Sequence, residues 1–182
     1  MAAQNMPAAE INITEDLVRR LLDEQHPDMA GLPISPLSNG WDNAIFRLGD
    51  DHTVRLPRRQ MAAVLVEHEQ QWLKVLAPRL PIPIPVPART GVPSDSFPWH
   101  WSVNPWFEGH MAADTSLADP MSEALRLGEF LVSLHIAAPD DAPENPWRGQ
   151  PVADVTPRFE RNLEQLGTSI DALATRARWR EL

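Results

Sequence analysis

The 182 residues are 43% hydrophobic and 23% charged, the proportions of a soluble globular chain long enough to bury the core of one domain or of two small lobes. A formal charge of −9 argues against sequence-independent nucleic-acid binding, which needs Lys and Arg to neutralise phosphates, and would suit a cationic substrate. The absence of cysteine excludes disulfides and thiolate metal sites, no apolar run approaches the roughly 18 residues of a membrane helix, and the first residues lack a signal-peptide pattern, so the expected compartment is the cytoplasm.

Thr14 is placed to cap a helix whose first turn carries Glu15 and Asp16 and whose buried stripe is Leu17, Val18, Leu21 and Leu22, ending at His26-Pro27. Strands are expected at Ile34 to Leu37, Ala44 to Leu48 and Thr53 to Leu56, because Phe46 alternates with Leu48 and Val54 with Leu56. The polar turn Ser38 to Asn43 and the turn Gly49-Asp50-Asp51 separate them. From Met61 to Leu76 the apolar residues Met61, Val64, Leu65, Trp72, Leu73 and Leu76 recur at helical spacing.

Proline makes up 19 of the residues, about twice the usual share. In Leu80 to Pro87 alternate prolines forbid a helix and remove half the amide donors, leaving an extended segment with its aliphatic residues on one side. The aromatic run Phe97 to Phe107 reads as a strand entering a turn at Gly109. Asp119 and Pro120 then open a helix to about His135. Two further helices are expected, one begun by Thr156-Pro157 and ended near Gly167, the other running from Ser169 to Leu182. The order is α+β, a sheet-bearing lobe ahead of a helical one.

Chemistry concentrates in the front half. A glycine-containing turn between antiparallel strands, such as Asn39-Gly40-Trp41-Asp42-Asn43, can lay converging backbone amides against phosphates, although a turn of this composition is more often only a hairpin connection. One strand later Arg55 is a cation flanked by buried positions, and the following helix offers Glu69. A basic residue on a third strand, steadied by a helix glutamate, is the arrangement by which kinases clamp phosphates. Without that context, both would be ordinary solvated charges. The tryptophans Trp99, Trp101 and Trp106 suit core and hinge packing better than base stacking, since an acidic chain lacks a basic groove.

Residues 39–50 followed by Val54-Arg55-Leu56-Pro57-Arg58-Arg59, the segment Glu69 to Leu73, the string Trp101 to Gly109, and later Leu127 to His135 and Asn145 to Gly149 resemble, in order, aminoglycoside phosphotransferases. The resemblance implies a protein-kinase-like fold: a nucleotide-binding lobe of small antiparallel sheet plus helix over 1–105, and a partial helical lobe over 106–182. It implies that Asn39, Gly40, Trp41, Asp42 and Asn43 cover the phosphates of ATP or GTP, that Arg55 contacts them in place of the usual lysine and that Glu69 positions Arg55. Asn104, Pro105, Trp106 and Phe107 would receive the base as a hinge. The implied activity is transfer of a γ-phosphate to a hydroxyl of a small molecule, such as an aminoglycoside, without nucleic-acid or membrane partners.

The family's chemistry lies in a later His-Gly-Asp-type loop and a second aspartate that holds magnesium. Here His135 is followed by Ile136, and Asp140, Asp141, Asp154 and Asp171 stand in other contexts. No catalytic or metal-binding residue is therefore assigned, and Mg2+ is expected only in a full-length member. The sequence reads as an amino-terminal portion, inactive alone. The alternatives are a nucleotide-binding module or one half of a split kinase with a separately encoded C-terminal half.

Overall fold

The computed structural model describes residues 7–145 and 149–181. These divide into two compact units, one running to Ala137 and the other beginning at Ala138. Pro146, Trp147 and Arg148, part of the Asn145 to Gly149 string, lie outside the described residues.

The first unit is organised around a five-stranded antiparallel sheet of order β1-β2-β3-β5-β4. Helix α1 spans Glu15–Gln25, and the Thr14 hydroxyl accepts from the Leu17 amide at 3.2 Å, satisfying one of the donors that a helix start leaves open. The expected stripe of Leu17, Val18, Leu21 and Leu22 is fully buried. It packs with one face of the sheet: Ala44, Phe46 and Leu48 of β2 (Asn43–Leu48), Val54 and Leu56 of β3 (His52–Pro57), and Trp101 and Val103 of β5 (Trp101–Pro105). The side chains between them, Asn43, Ile45, Thr53, Arg55, Ser102 and Asn104, take the other face because strand side chains alternate. That parity decides which residues can meet a ligand.

Strand β1 covers Ile34–Asn39, two residues longer than expected, with an irregularity between Pro36 and Ser38. Asn39 pairs with Ala44, so the turn proper shrinks from six residues to Gly40, Trp41 and Asp42. Pro36 is tolerated because β1 is an edge strand. Strand β4, Arg89–Gly91, has no sequence expectation behind it: three residues are too short to show alternation. Conversely, β5 takes only Trp101–Pro105 of the aromatic run. Phe97 and Trp99 are buried from a loop in which Ser94 and Phe97 exchange backbone hydrogen bonds of 2.8 and 3.2 Å.

Helix α2, Gln60–Leu76, buries Ala62, Ala63 and Val66, while Met61 is exposed and Trp72, Leu73 and Leu76 are half-buried. Small residues let the helix approach the sheet closely, which a count of large apolar positions misses. Gln70 fastens it, donating to the Trp101 carbonyl at 2.7 Å and to the Ser102 hydroxyl at 3.2 Å. In the proline segment Ile82, Ile84 and Val86 are half-buried while Pro81, Pro83 and Pro85 are exposed, as the alternation requires. Helix α3, Pro120–Leu134, starts as expected, with the Asp119 carboxylate accepting from the amides of Met121 and Ser122. It buries no residue.

The second unit is a helix pair. Helix α4 spans Val152–Leu166, starting four residues ahead of Thr156. Pro157 sits inside it as the sixth residue, removing one ladder donor, and the Thr156 hydroxyl donates back to the Val152 carbonyl at 2.8 Å. Helix α5 is Ala172–Trp179, capped by Asp171 rather than Ser169, because Ser169 belongs to a short 3-10 turn. It ends before the expected Leu182. Phe159 and Trp179 stack at 4.1 Å, and Arg176 pairs with Glu160 at 2.7 Å.

Candidate nucleotide cleft

The polar face of the sheet borders an open cleft of about 500 Å³. At one end stand Gly40, Trp41 and Asp42 of the β1–β2 turn with Asn43 beside them; Ile45, Thr53 and Arg55 form the floor; Asn104 and Pro105 close the other end, with Pro85 at the side. Of the residues expected at the site, Gly40, Trp41, Asp42, Asn43, Arg55, Asn104 and Pro105 meet here. Asn39, Glu69, Trp106 and Phe107 do not line the cleft.

Arg55 is held by a helix carboxylate. Its Nη1 donates to Glu69 Oε2 across the gap between β3 and α2. Both side chains are only part-buried, so the pair contributes little to folding; its consequence is positional, since it restricts a flexible guanidinium to the cleft. Glu69 thus acts on the cleft through Arg55.

The turn is clamped from below by residues that sequence reasoning had only as part of a matching string. Arg58, buried at 8% exposure, donates from Nη1 to the Gly40 carbonyl at 2.8 Å, and its backbone amide donates to the Asp42 carbonyl at 2.8 Å. Arg59 pairs with Asp42 at 2.8 Å. The Gly40 amide is engaged by the Asn43 carbonyl at 2.9 Å, which leaves the amides of Trp41 and Asp42 without an acceptor among the described residues. An anion is the natural partner for such a turn. The signal in the sequence was the Arg-Arg pair one residue past β3, but only the hairpin register brings it under the turn.

The hinge differs from expectation. The Trp106 amide donates to the Asp51 carbonyl at 2.8 Å, continuing the β3–β5 ladder, so it is not open to a base edge. Its ring carries the Arg47 guanidinium at 4.0 Å, and its indole nitrogen donates to Glu108 Oε1 at 2.7 Å. Trp106 therefore braces the strand end. Phe107 is half exposed, and Asn39 borders a separate hollow with Ile13, Thr14 and Phe46. Asn104, by contrast, is 8% exposed, and its Oδ1 is buried with no hydrogen-bond partner; Asn43 Oδ1 is in the same state at the turn end. Buried acceptors without donors cost on the order of 1–3 kcal/mol and mark places where a ligand or water completes the structure.

A sequence profile of the phosphotransferase enzyme family matches residues 33–182, a span that includes the cleft. The chain belongs to the phosphotransferase enzyme family. The kinase-like α+β fold agrees with the solved structures it resembles. Wild-type aminoglycoside 2'-phosphotransferase-IIIa in its GDP complex aligns with a TM-score of 0.69 at 20% identity, over 93% of this chain and 59% of that one. The streptomycin–ATP ternary complex of APH(2")-IIa aligns at 0.59 and 15% identity, over 90% and 54%. The macrolide 2'-phosphotransferase MphH from Brachybacterium faecium, an apoenzyme, aligns at 0.54 and 23% identity, over 91% and 58%. This phosphotransferase-family chain therefore spans little more than half the length of those solved relatives. No curated protein matches it in sequence.

Among the described residues of this family member, no three His, Asp or Glu side chains group closely enough to hold a metal ion. No described helix is long and apolar enough to cross a membrane.

Proposed function

We propose that this chain is the nucleotide-binding front portion of a phosphotransferase that moves the γ-phosphate of ATP or GTP to a hydroxyl of a small molecule such as an aminoglycoside. The carrying observation is the convergence, on one cleft, of the clamped turn, Arg55 steadied by Glu69, and the end of β5. In this reading residues 1–105 act as the nucleotide lobe and 106–182 as a partial helical lobe. The amides of Trp41 and Asp42 face the phosphates, Arg55 offsets their charge, and the Asn104–Pro105 end receives the base. Among the described residues no cluster of His, Asp or Glu is grouped to hold a metal ion, so no step is assigned to magnesium.

The chain alone is expected to bind nucleotide without turning it over. Its sequence holds no His-Gly-Asp string, and without that aspartate the acceptor hydroxyl is neither oriented nor deprotonated. The second reading, a binding module or one half of a split kinase, rests on the same feature. Titration calorimetry with ADP and GDP, followed by a phosphoryl-transfer assay with ATP, Mg2+ and an aminoglycoside, tests both parts. Micromolar to millimolar binding with no transfer is expected. Failure to bind either nucleotide would sink the nucleotide reading, and transfer by this chain would sink the claim of inactivity.

A further inference from the structure

Arg58 is 8% exposed, and its guanidinium pairs with no carboxylate among the described residues; the one carboxylate of the turn, Asp42, pairs with Arg59. A buried cation without a counter-ion is costly, so what it does hold bears on why it is there. Its backbone is anchored on both sides: the amide donates to the Asp42 carbonyl at 2.8 Å, and the carbonyl accepts from the Glu10 amide at 2.9 Å. From that anchor Nη1 donates to the Gly40 carbonyl at 2.8 Å.

In a closed four-residue turn over residues 40–43, the first carbonyl would accept from the fourth amide. Here residues 41 and 42 bend without that bond, and the Gly40 carbonyl is turned to Arg58 instead. The Gly40–Trp41 peptide is trans, and the carbonyl and amide of a trans unit point in opposite directions. Holding the carbonyl toward Arg58 therefore turns the Trp41 N–H away from it, and that amide has no acceptor among the described residues. Gly40 and Trp41 line the cleft, whereas Arg58 does not.

We propose that Arg58 is a positioning residue for the phosphates: without touching them, it fixes the Gly40–Trp41 peptide so that the Trp41 N–H is presented to the cleft as an anion donor, over an unpaired positive charge. This rests on the nucleotide reading above and deepens it, since the grip of the turn then depends on a residue outside the cleft. A backbone donor already in place binds an anion without the cost of reorienting, and a fixed charge behind it strengthens the contact. The effect follows the phosphates and not the base, because a nucleoside gives the turn nothing to hold.

The test is a nitrogen-15 NMR titration of the full chain with ADP and adenosine, or with GDP and guanosine where GDP binds the tighter. In the wild type the Trp41 amide is expected to shift with the diphosphate and to stay in place with the nucleoside. Arg58→Met should weaken the diphosphate by about tenfold and the nucleoside by less than about twofold. Arg58→Lys keeps the charge and a donor but loses the planar fork, so the same selectivity should appear at about threefold, which keeps the test sound should the methionine variant not fold. Equal losses for diphosphate and nucleoside, undiminished diphosphate affinity in both variants, or a Trp41 amide unmoved by the diphosphate overturns the proposal while leaving nucleotide binding intact. No binding of ADP or GDP by the wild type overturns the nucleotide reading and this inference with it.

Discussion

The sheet-bearing region and the later helices are built from similar amounts of apolar side chain but use them differently. Every buried hydrophobic residue described except Leu163 lies between Leu17 and Val103. Helix α3, by contrast, leaves Met121, Leu125, Leu127, Leu131 and Val132 exposed and buries nothing. A helix apolar on several sides normally lies in an interior. The front region is thus a completed core with a formed cleft, and α3 is helical by local signals, its Asp119 cap and Pro120 start, without the tertiary cover that usually stabilises a helix.

That contrast can be broken by mutation. Trp101 is fully buried, its ring edge-on to His26 at the end of α1 and over Gly91 of β4; Trp101→Ala should destabilise the chain by about 3–5 kcal/mol in urea unfolding. A loss under 1 kcal/mol would mean the front core is not the stabilising one. Gly91 lies under the same ring: a Cβ there would meet Trp101 Cε2 at 1.9 Å, so Gly91→Ala should cost about 1–3 kcal/mol by overpacking. An unchanged unfolding midpoint would show that the indole has room to move. Arg55→Met should weaken ADP binding about tenfold or more while shifting the midpoint little, since Arg55 is part-exposed and serves the cleft. Equal losses of stability and affinity would make it structural.

The smallest effects sharpen the comparison. Thr14→Ala removes the cap of a helix that packs on the core and should cost about 1 kcal/mol, whereas Asp119→Ala, which removes two cap hydrogen bonds from α3, should change global unfolding by less than about 0.5 kcal/mol. If the two cost the same, α3 is part of the cooperative unit after all.

Much of the chain was legible where its signals are local. The Thr14 and Asp119 caps, the period-two pattern of β2 and β3 and the proline alternation of residues 81–87 each depend on neighbours in sequence. Local signals misled where a competing local feature won: Asp171, not Ser169, caps α5, and α4 accepts Pro157 within it. The small-residue face of α2 was hidden because Ala62 and Ala63 carry weak hydrophobic weight yet set the closest approach.

The cleft divides along the same line. The sequence alone determined that a glycine turn, a strand arginine and a helix glutamate occur in kinase order, since order and spacing are properties of the chain. Only tertiary structure decided that Arg58 and Arg59 clamp the turn, that Trp106 is engaged by Asp51 and Arg47, and that Asn104 Oδ1 is buried without a partner. Those facts depend on strand register and on which atoms pairing leaves unsatisfied, and hydrogen-bond accounting closes only once distant segments are in contact.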